Sequence, residues 1–370
     1  MHRTAPLILG AGPAGCAAAI VLAEEGLRPI LLDRDAEARD QLCGGFLSWR
    51  TAEQLRSLGV DPAALGACRI GRVALSAGSR EVVAVLPAPA FGLSRRALDG
   101  ALRARAMAAG ARVEIDTVRR VEGCEVVGQH RRWPGDGLFL ATGKHDLRGV
   151  GRSRPSDDPA LGLRLRQCRP SGGELAGQIE LHLFAGGYAG IAQHEDGSAN
   201  VCLAVRKSLF GRGGGSPAGL LGYLAARHPR FAQRLAGDWE AAAIESIGAV
   251  PYGWIARSSE PGVFRLGDQA AVIPSLAGEG ISIALASGVL AARMWLEHGP
   301  EGAARFQRRM AAMTAAPLRA AGLARSLAES PLGAWAGLAL AEQIPIALRR
   351  LIEASRIAPD ASLAQPATAP

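Results

Sequence analysis

The sequence predicts an α/β chain: a parallel, doubly wound unit interleaved with an antiparallel-sheet unit and followed by a helical tail. Three observations carry this. Two glycine-rich segments, Gly10-Ala11-Gly12-Pro13-Ala14-Gly15 and Gly267-Asp268 with Gly278-Glu279-Gly280-Ile281, stand about two-thirds of the chain apart, each tied to an apolar run. Between them lie stretches of apolar–polar alternation, the period of half-buried strands. From about residue 301 the chain turns alanine-rich.

Leu7-Ile8-Leu9 reads as a buried strand, and Gly10 allows the tight turn after it. Gly12 lets the backbone approach a pyrophosphate, and Gly15 lets the next helix pack closely on the sheet. That helix opens at Pro13 and Ala14, runs to Glu25, and stops at Gly26. Its unpaired N-terminal amides and positive dipole end form a phosphate site. A second apolar run, Ile30-Leu31-Leu32, ends in Asp33 and Arg34. Asp33 has the spacing of the acid that bonds a ribose hydroxyl in dinucleotide-binding folds. In the second segment an apolar helix over residues 281–293 follows Gly278 to Ile281. Its N-terminal amides and dipole would stabilise negative charge on a bound ring system. Glu279 between the glycines reads as solvated or capping.

Taken together these motifs resemble the FAD-dependent oxidoreductases that include p-hydroxybenzoate hydroxylase-type monooxygenases, geranylgeranyl reductases and flavin halogenases. Two further segments carry the resemblance. Ser94-Arg95-Arg96-Ala97-Leu98-Asp99 is similar to that superfamily's R-x-x-L-D helix start, whose arginine lies beside the cofactor, and Leu138-Phe139-Leu140-Ala141-Thr142-Gly143 resembles the later strand returning to the dinucleotide. Gly267 and Asp268, with Pro274, Gly278, Gly280 and Ile281, resemble the flavin end, where the aspartate meets the ribitol chain. The resemblance implies a Rossmann-like FAD-binding domain of the glutathione reductase type, built from residues 1–68, 94–150 and 256–300. It leaves 69–93 and 151–255 for a substrate domain and 301–370 for the helical tail.

Composition narrows the classes. The chain has 370 residues, 48% hydrophobic and 21% charged, ordinary values for a globular enzyme of two domains. No apolar run reaches the roughly 20 residues of a membrane span, and the first is broken by the fingerprint, so it does not read as a signal peptide. Six cysteines, at 16, 43, 68, 124, 168 and 202, show no metal-like spacing. No metal site is expected, and scattered thiols fit a reducing cytoplasm. The net charge is +8, but the arginines are dispersed and only three tyrosines occur. That argues against a nucleic-acid stacking surface; anionic cofactors and an anionic membrane surface account for the excess.

Leu161-Gly162-Leu163-Arg164-Leu165-Arg166, Gln178-Ile179-Glu180-Leu181-His182-Leu183 and residues 201–205 alternate as strands. With 73–75 and 82–86 they suggest an antiparallel sheet roofing the flavin. Gly211-Arg212-Gly213-Gly214-Gly215-Ser216-Pro217 reads as a flexible loop, because no strand and acid frame it. The tail reads as helices separated at Pro317, Pro331 and Pro345. Its amphipathic stretch 333–352, with Trp335 and Arg349-Arg350, is either a cap on the substrate domain or a peripheral contact with the inner face of a membrane.

Cys43-Gly44-Gly45 is similar to a turn of geranylgeranyl reductase-like proteins, in which glycines pass close to the flavin and the cysteine lies near the ring. Cys43 is either an active-site thiol or a small packing residue, and Ser48 and Trp49 are candidates for the same cavity. Tyr188, His182 and His194 are candidates to orient or deprotonate a substrate hydroxyl; each histidine has the alternative of a polar-face strand residue. Thr142-Gly143 stands where hydroxylases carry Asp-Gly, which leaves NAD(P)H and a separate electron donor both open. Pro251-Tyr252-Gly253-Trp254-Ile255 only faintly echoes the halogenase motif, and Gly187-Tyr188-Ala189-Gly190-Ile191 lacks the reductases' Trp and Phe-Pro. The leading expectation is an FAD-dependent monooxygenase that hydroxylates a hydrophobic aromatic or polyketide-like molecule through a flavin C4a-hydroperoxide. The alternatives are an FAD-dependent reductase of isoprenoid-type C=C bonds, a non-redox FAD isomerase or cyclase, and a non-catalytic flavin-fold binding protein.

Overall fold

The computed structural model describes residues 4–152, 156–167, 175–235 and 243–358. Short apolar triplets form the centre of a five-stranded, all-parallel sheet ordered Val263–Arg265, Leu138–Leu140, Leu7–Leu9, Ile30–Asp33, Arg112–Ile115. Leu7–Leu9 and Leu138–Leu140 are buried throughout, so they read as unbroken apolar runs rather than alternations. Successive side chains still point to opposite faces. Ile8, Phe139 and Phe264 pack under the helices Pro13–Glu24, Arg95–Ala109 and Gly280–His298. Leu7, Leu9 and Leu140 pack under a three-stranded sheet of Val118–Glu122, Glu125–Gly128 and Arg132–Trp133.

The helices Pro13–Glu24 and Gly280–His298 lie directly against one another. At Gly288 an added Cβ would sit 2.3 Å from the carbonyl oxygen of Ala14 and 2.9 Å from the Cβ of Ala17. Alanine on one helix and glycine on the other let the two backbones close. Next to it, Ser287 Oγ accepts from the Gly267 amide at 2.8 Å, which fastens the Gly267-Asp268 turn to the same helix.

The second sheet has eight strands, ordered Ile244–Val250, Ala160–Gln167, Ala199–Arg206, Gly187–Gln193, Gln178–Phe184, Cys68–Ala77, Arg80–Gly92, Phe46–Leu47. It is not wholly antiparallel: Gln178–Phe184 and Cys68–Ala77 pair in parallel. These two strands come from distant stretches of chain, so no hairpin fixes their direction. One face packs on Leu209, Leu220, Leu224 and Phe231; the other meets the C-terminal helices.

Three local expectations need correction. The glycine-rich stretch after residue 211 is a short turn joining the helices Lys207–Arg212 and Pro217–Ala225, the second capped by Ser216. The helix expected over 281–293 extends over Gly280–His298. Pro317 does not break the tail: Gly302–Ala328 runs through it. Proline removes one helical hydrogen bond, but Phe306, Met310, Leu318 and Ala321 are buried in the main core on either side and carry the helix across. The run Gly280–Ala328 is long and apolar enough to cross a membrane by composition, yet 67% of its most apolar window is buried inside the fold.

The close helix contact predicts that Gly288→Val, which forces a branched side chain against the Ala14 carbonyl, destabilises the chain by about 1–3 kcal/mol or more. Denaturant unfolding of the purified protein measures it; an unchanged midpoint would show that the two helices can part freely.

Candidate functional site

A cavity of about 590 Å³ receives the ends of both glycine-rich segments. Pro13–Glu24 and Gly280–His298 each start at its wall, and neither start is closed by a side-chain cap or an acidic residue in its first turn. By contrast, Ser48, Ser94, Ser216 and Ser330 cap four other helices. Orphan amides at a helix start need an acceptor, and here two sets of them face one cavity.

The glycines divide into two kinds. A Cβ on Gly10 would meet the Ala141 carbonyl oxygen at 2.4 Å, and one on Gly15 would meet the Gly10 oxygen at 2.0 Å. These two are required by the fold itself. A Cβ on Gly12 would meet nothing nearer than Arg95 Nη2 at 3.6 Å, while Gly44 and Gly280 have nothing within 4 Å. All three line the cavity, so their missing side chains leave space for a ligand. An elongated anionic dinucleotide fits this cradle.

Charges surround it in fixed positions. Asp33 accepts from the Ala11 amide at 2.8 Å and pairs with Arg103 at 3.1 Å. Arg95 holds Asp99 through two bonds of 2.9 and 2.7 Å; burial opposes the Arg95 charge, but Asp99 outweighs it and keeps the guanidinium ionised. The Cys43 thiol lies beside that guanidinium. Its turn is pinned by Asn200, which donates to the Cys43 carbonyl at 2.9 Å, and by Lys144, which donates to the Leu42 carbonyl at 3.0 Å. Lys144 also stands 3.8 Å from Asp268. Burial works against its charge, yet Asp268 raises its pKa overall. Arg152 donates to the Asp268 carbonyl at 2.8 Å and to Asp146 at 2.7 Å.

Of the residues singled out in the sequence, Gly10, Gly12, Pro13, Ala14, Asp33, Arg34, Cys43, Gly44, Arg95, Ala141, Thr142, Gly143, Tyr188, Gly267, Asp268, Gly278, Gly280 and Ile281 line the cavity. Gly15 and Gly45 lie behind it. Gly45 (φ +68°) turns against His194, whose Nε2 would be 2.2 Å from an added Cβ. His194 is itself buried with both ring nitrogens unpartnered, and burial lowers its pKa. It supports the turn and does not reach the cavity.

His182 is displaced by the sheet's alternation. In the pairing of Gln178–Phe184 with Gly187–Gln193, Leu183 stands opposite Tyr188 and His182 opposite Ala189. Leu181, Leu183 and Tyr188 face the cavity; His182 and Glu180 face the other way. There His182 Nδ1 meets Ser76 Oγ at 2.9 Å and Nε2 meets Glu180 at 3.2 Å, while Arg234 donates to Glu180 at 2.9 Å. His182 is a structural residue of the back face.

Several site residues carried no clear signal in the sequence. Tyr252 joins Tyr188 on Ser275: the Tyr252 hydroxyl is 2.9 Å from Ser275 Oγ, and Tyr188 hydrogen-bonds the same oxygen. Burial raises the pKa of both tyrosines and keeps them protonated. Glu279 is not solvated and caps nothing with its side chain. It is fully buried, ion-paired with Arg356, and accepts from Ser48 at 3.3 Å. Ser48 and Trp49 therefore sit one layer behind the wall, with the Arg356 guanidinium 5.0 Å from the Trp49 ring. The apolar half of the cavity is mainly aliphatic, with Val73, Leu75, Leu86, Ile179, Leu181 and Leu183 from the sheet and Leu338, Leu348 and Ile352 from the tail, joined by the ring of Phe46.

The Glu180 cluster has a measurable pH signature. Burial pushes the Glu180 pKa up, but hydrogen bonds from His182 and Arg234 overcome this and hold it at about 2, against 4.5 for a free side chain. A depressed carboxyl pKa stabilises the fold above the unfolded value, and that stability is lost as pH falls through the window from 4.5 toward 2. The expected loss is up to about 3 kcal/mol. Denaturant midpoints across that window should fall in the wild type and fall less in Glu180→Gln.

Comparison with known proteins points to FAD as the cofactor. Residues 3–125 match the family model described as FAD binding domain. The chain is 28% identical over 317 residues to a digeranylgeranylglycerophospholipid reductase of Methanopyrus kandleri, covering 79% of this chain and 76% of that one. It is 26% identical over 328 residues to a menaquinone reductase of Mycobacterium tuberculosis, covering 78% and 75%. In fold it is similar to a flavin-dependent brominase (TM-score 0.74, 16% identity, 95% and 93% covered). It is similar also to a peptidyl tryptophan dihydroxylase essential for tryptophylquinone cofactor biogenesis (TM-score 0.67, 23% identity, 90% and 78% covered). With an FAD-binding domain, two uncapped helix starts on one cavity and similarity to reductases along most of its length, the chain resembles the FAD-dependent oxidoreductases and is an enzyme.

Proposed function

We propose that this enzyme reduces a carbon–carbon double bond in an elongated, largely aliphatic substrate of isoprenoid type. The observation that carries the reading is the cavity itself. From the flavin-end helix start it continues into an aliphatic chamber, and the hydroxyls at the junction, Tyr188 and Tyr252, are held protonated by burial. Reduction of an alkene needs a hydride on one carbon and a proton on the other. Protonated hydroxyls and the Cys43 thiol suit the second requirement; His145, the histidine that lines the cavity among the described residues, stands against Arg34, Lys144 and Arg152 at the charged end. The two reductase relatives point the same way.

FAD supplies a two-electron store that gives hydride to carbon or reacts with oxygen. The chain's own residues bind and orient it. Amides at the Gly12–Ala14 helix start take the pyrophosphate, Asp33 the adenosine ribose, Asp268 the ribitol chain, and the Gly280–Ile281 amides the developing negative charge. The aliphatic walls exclude water from the reacting carbon. In this reading residues 1–68, 94–150 and 256–300 serve FAD, 69–93 and 151–255 serve the substrate, and the electrons come from NAD(P)H or from a separate electron donor. A second reading, oxygen insertion into a hydrophobic aromatic or polyketide-like molecule, is favoured by the Tyr188–Ser275–Tyr252 hydroxyl cluster, which could orient a phenol.

The binding roles predict that Gly12→Val abolishes FAD retention with the fold intact, because its side chain fills ligand space and touches no backbone. Asp33→Ala should weaken binding less, by about 1.5–3 kcal/mol for a hydrogen bond to a charged group. Dissociation constants ranking Asp33→Ala as the worse variant would overturn the assigned pyrophosphate site.

The chemistry is separated by reducing the flavin under strict anaerobiosis in the presence of a prenylated lipid or quinone. Reduction predicts a product heavier by two hydrogens without oxygen. Cys43→Ser and Tyr188→Phe should lower its rate by about 10²–10⁴-fold, the range for a positioned proton-transfer group, with FAD content unchanged. A product that gains an oxygen atom, and forms only when oxygen is admitted, installs the second reading instead.

A further inference from the structure

The tail helix Pro331–Gln343 is apolar on two opposite sides. Its inner side, Ala334, Gly337, Leu338 and Ala341, lines the cavity. Its outer side has the same three-and-four spacing: Leu332, Trp335 and Leu340 are 82%, 56% and 50% exposed, with Ala336 and Ala339 between them. A helix at the surface of a water-soluble fold normally turns charge outward, and one apolar all round is normally buried. Here the wall between an aliphatic cavity and the outside is one helix thick and apolar on both faces as far as Ala341, where the exposed Glu342 and Gln343 end the outer stripe.

The neighbouring helices extend the patch. Of the eleven large hydrophobics exposed among the described residues, seven fall between Leu323 and Ile346. That clustering distinguishes the region from singly scattered surface apolars, which need no explanation. Leu327, at the end of Gly302–Ala328, is 41% exposed and also lines the cavity, so the chamber wall and the patch share this residue.

Charge selects the occupant. The three tail helices, residues 302–354, carry seven arginines against three glutamates and no lysine or aspartate. Glu329 is buried against Arg206 and Arg325, so that pair cancels and the excess of four arginines in the tail stands. Arg319 is exposed one turn before Leu323, and Arg349 and Arg350 are exposed one turn after Ile346. Arg80 stacks on the Trp335 ring at 4.8 Å and pairs with Glu342 at 3.7 Å, and Arg349 pairs with Glu353 at 3.4 Å, so Arg319 and Arg350 carry most of the attraction for headgroups. A second copy of the chain would set these arginines against their own kind. An anionic bilayer satisfies both terms: acyl chains for the apolar stripe and headgroups for the arginines, with tryptophan at the boundary.

We propose that the outer face of Pro331–Gln343, with the adjoining ends of its two neighbours, docks on an anionic lipid surface. A lipid-soluble substrate then enters beside Leu327 without crossing water. The route rests on the aliphatic-substrate reading above, but the docking does not, so it is tested without substrate or turnover.

The holoenzyme is mixed with sedimentable vesicles of phosphatidylcholine alone and of phosphatidylcholine with phosphatidylglycerol. Binding is expected to the anionic vesicles and to weaken with salt. The double variant Leu332→Glu/Trp335→Glu, which replaces no cavity-lining residue, should lose at least about tenfold in partitioning, with flavin content unchanged. Arg319→Gln and Arg350→Gln should each cost about fivefold. Quenching of protein fluorescence by brominated acyl chains should drop in Trp335→Phe. Equal sedimentation of wild type and the double variant, or no sedimentation with anionic vesicles, overturns the proposal. So does a dimer in solution that the double variant dissolves, since that makes the patch a self-association surface.

Discussion

The structure depends on the close packing of two helices from distant stretches of the chain. Pro13–Glu24 and Gly280–His298 touch through Ala14, Ala17 and Gly288, and this contact fixes where their two N-termini lie relative to one another. Each N-terminus is a partial positive charge with orphan amides. A dinucleotide bearing a pyrophosphate and, when reduced, a negatively charged ring needs two such sites at a set separation. Ser287 fastens the Gly267-Asp268 turn to the same helix. Spacing between the two halves of the cofactor site is thus a packing property, set by small residues that touch no ligand.

Much of this was legible in the sequence because it is enforced by backbone sterics. Gly10 and Gly15 can carry no side chain without striking a carbonyl, and residues 7–9, 30–32 and 138–140 are apolar because both faces of their sheet are covered. Such constraints leave a local signature. The Glu279–Arg356 pair leaves none: its partners lie 77 positions apart, and a glutamate between two glycines reads as solvated until the tail is seen folded over it. Lys144, Arg152 and Tyr252 were hidden for the same reason, since their roles depend on which distant loop meets Asp268 or Ser275.

The histidines show where local reading stops short. Alternation along Gln178–Phe184 correctly announces a strand with two unlike faces, but period alone does not say which face meets the ligand. A cavity built for an apolar molecule takes the Ile179, Leu181, Leu183 face, and the polar face with Glu180 and His182 is left to pair with Ser76 and Arg234. Tyr188 falls on the cavity side because it stands opposite Leu183. Register, not residue type, sorts the candidate acid from the structural histidine. A parallel partner from residues 68–77 completes the sheet, and no turn signal could have disclosed it.

The tail binds these parts into one site. Arg356 donates to the Ala277 carbonyl at 2.7 Å and pairs with Glu279 at the start of the flavin-end helix, while Arg50 reaches back to the Ile357 carbonyl. A carboxylate with no exposure at a helix start is tolerable only because a guanidinium is buried with it; removing either partner would strand the other charge at a cost of about 3–5 kcal/mol. The end of the chain is therefore coupled to the geometry of the ring-binding amides. The aliphatic wall supplied by Leu338, Leu348 and Ile352 is held in place by the same anchor. Substrate chamber and cofactor seat share a structural element, because the tail that lines the one is fastened beside the other by the Arg356–Glu279 pair, the Arg356–Ala277 bond and the Arg50–Ile357 bond.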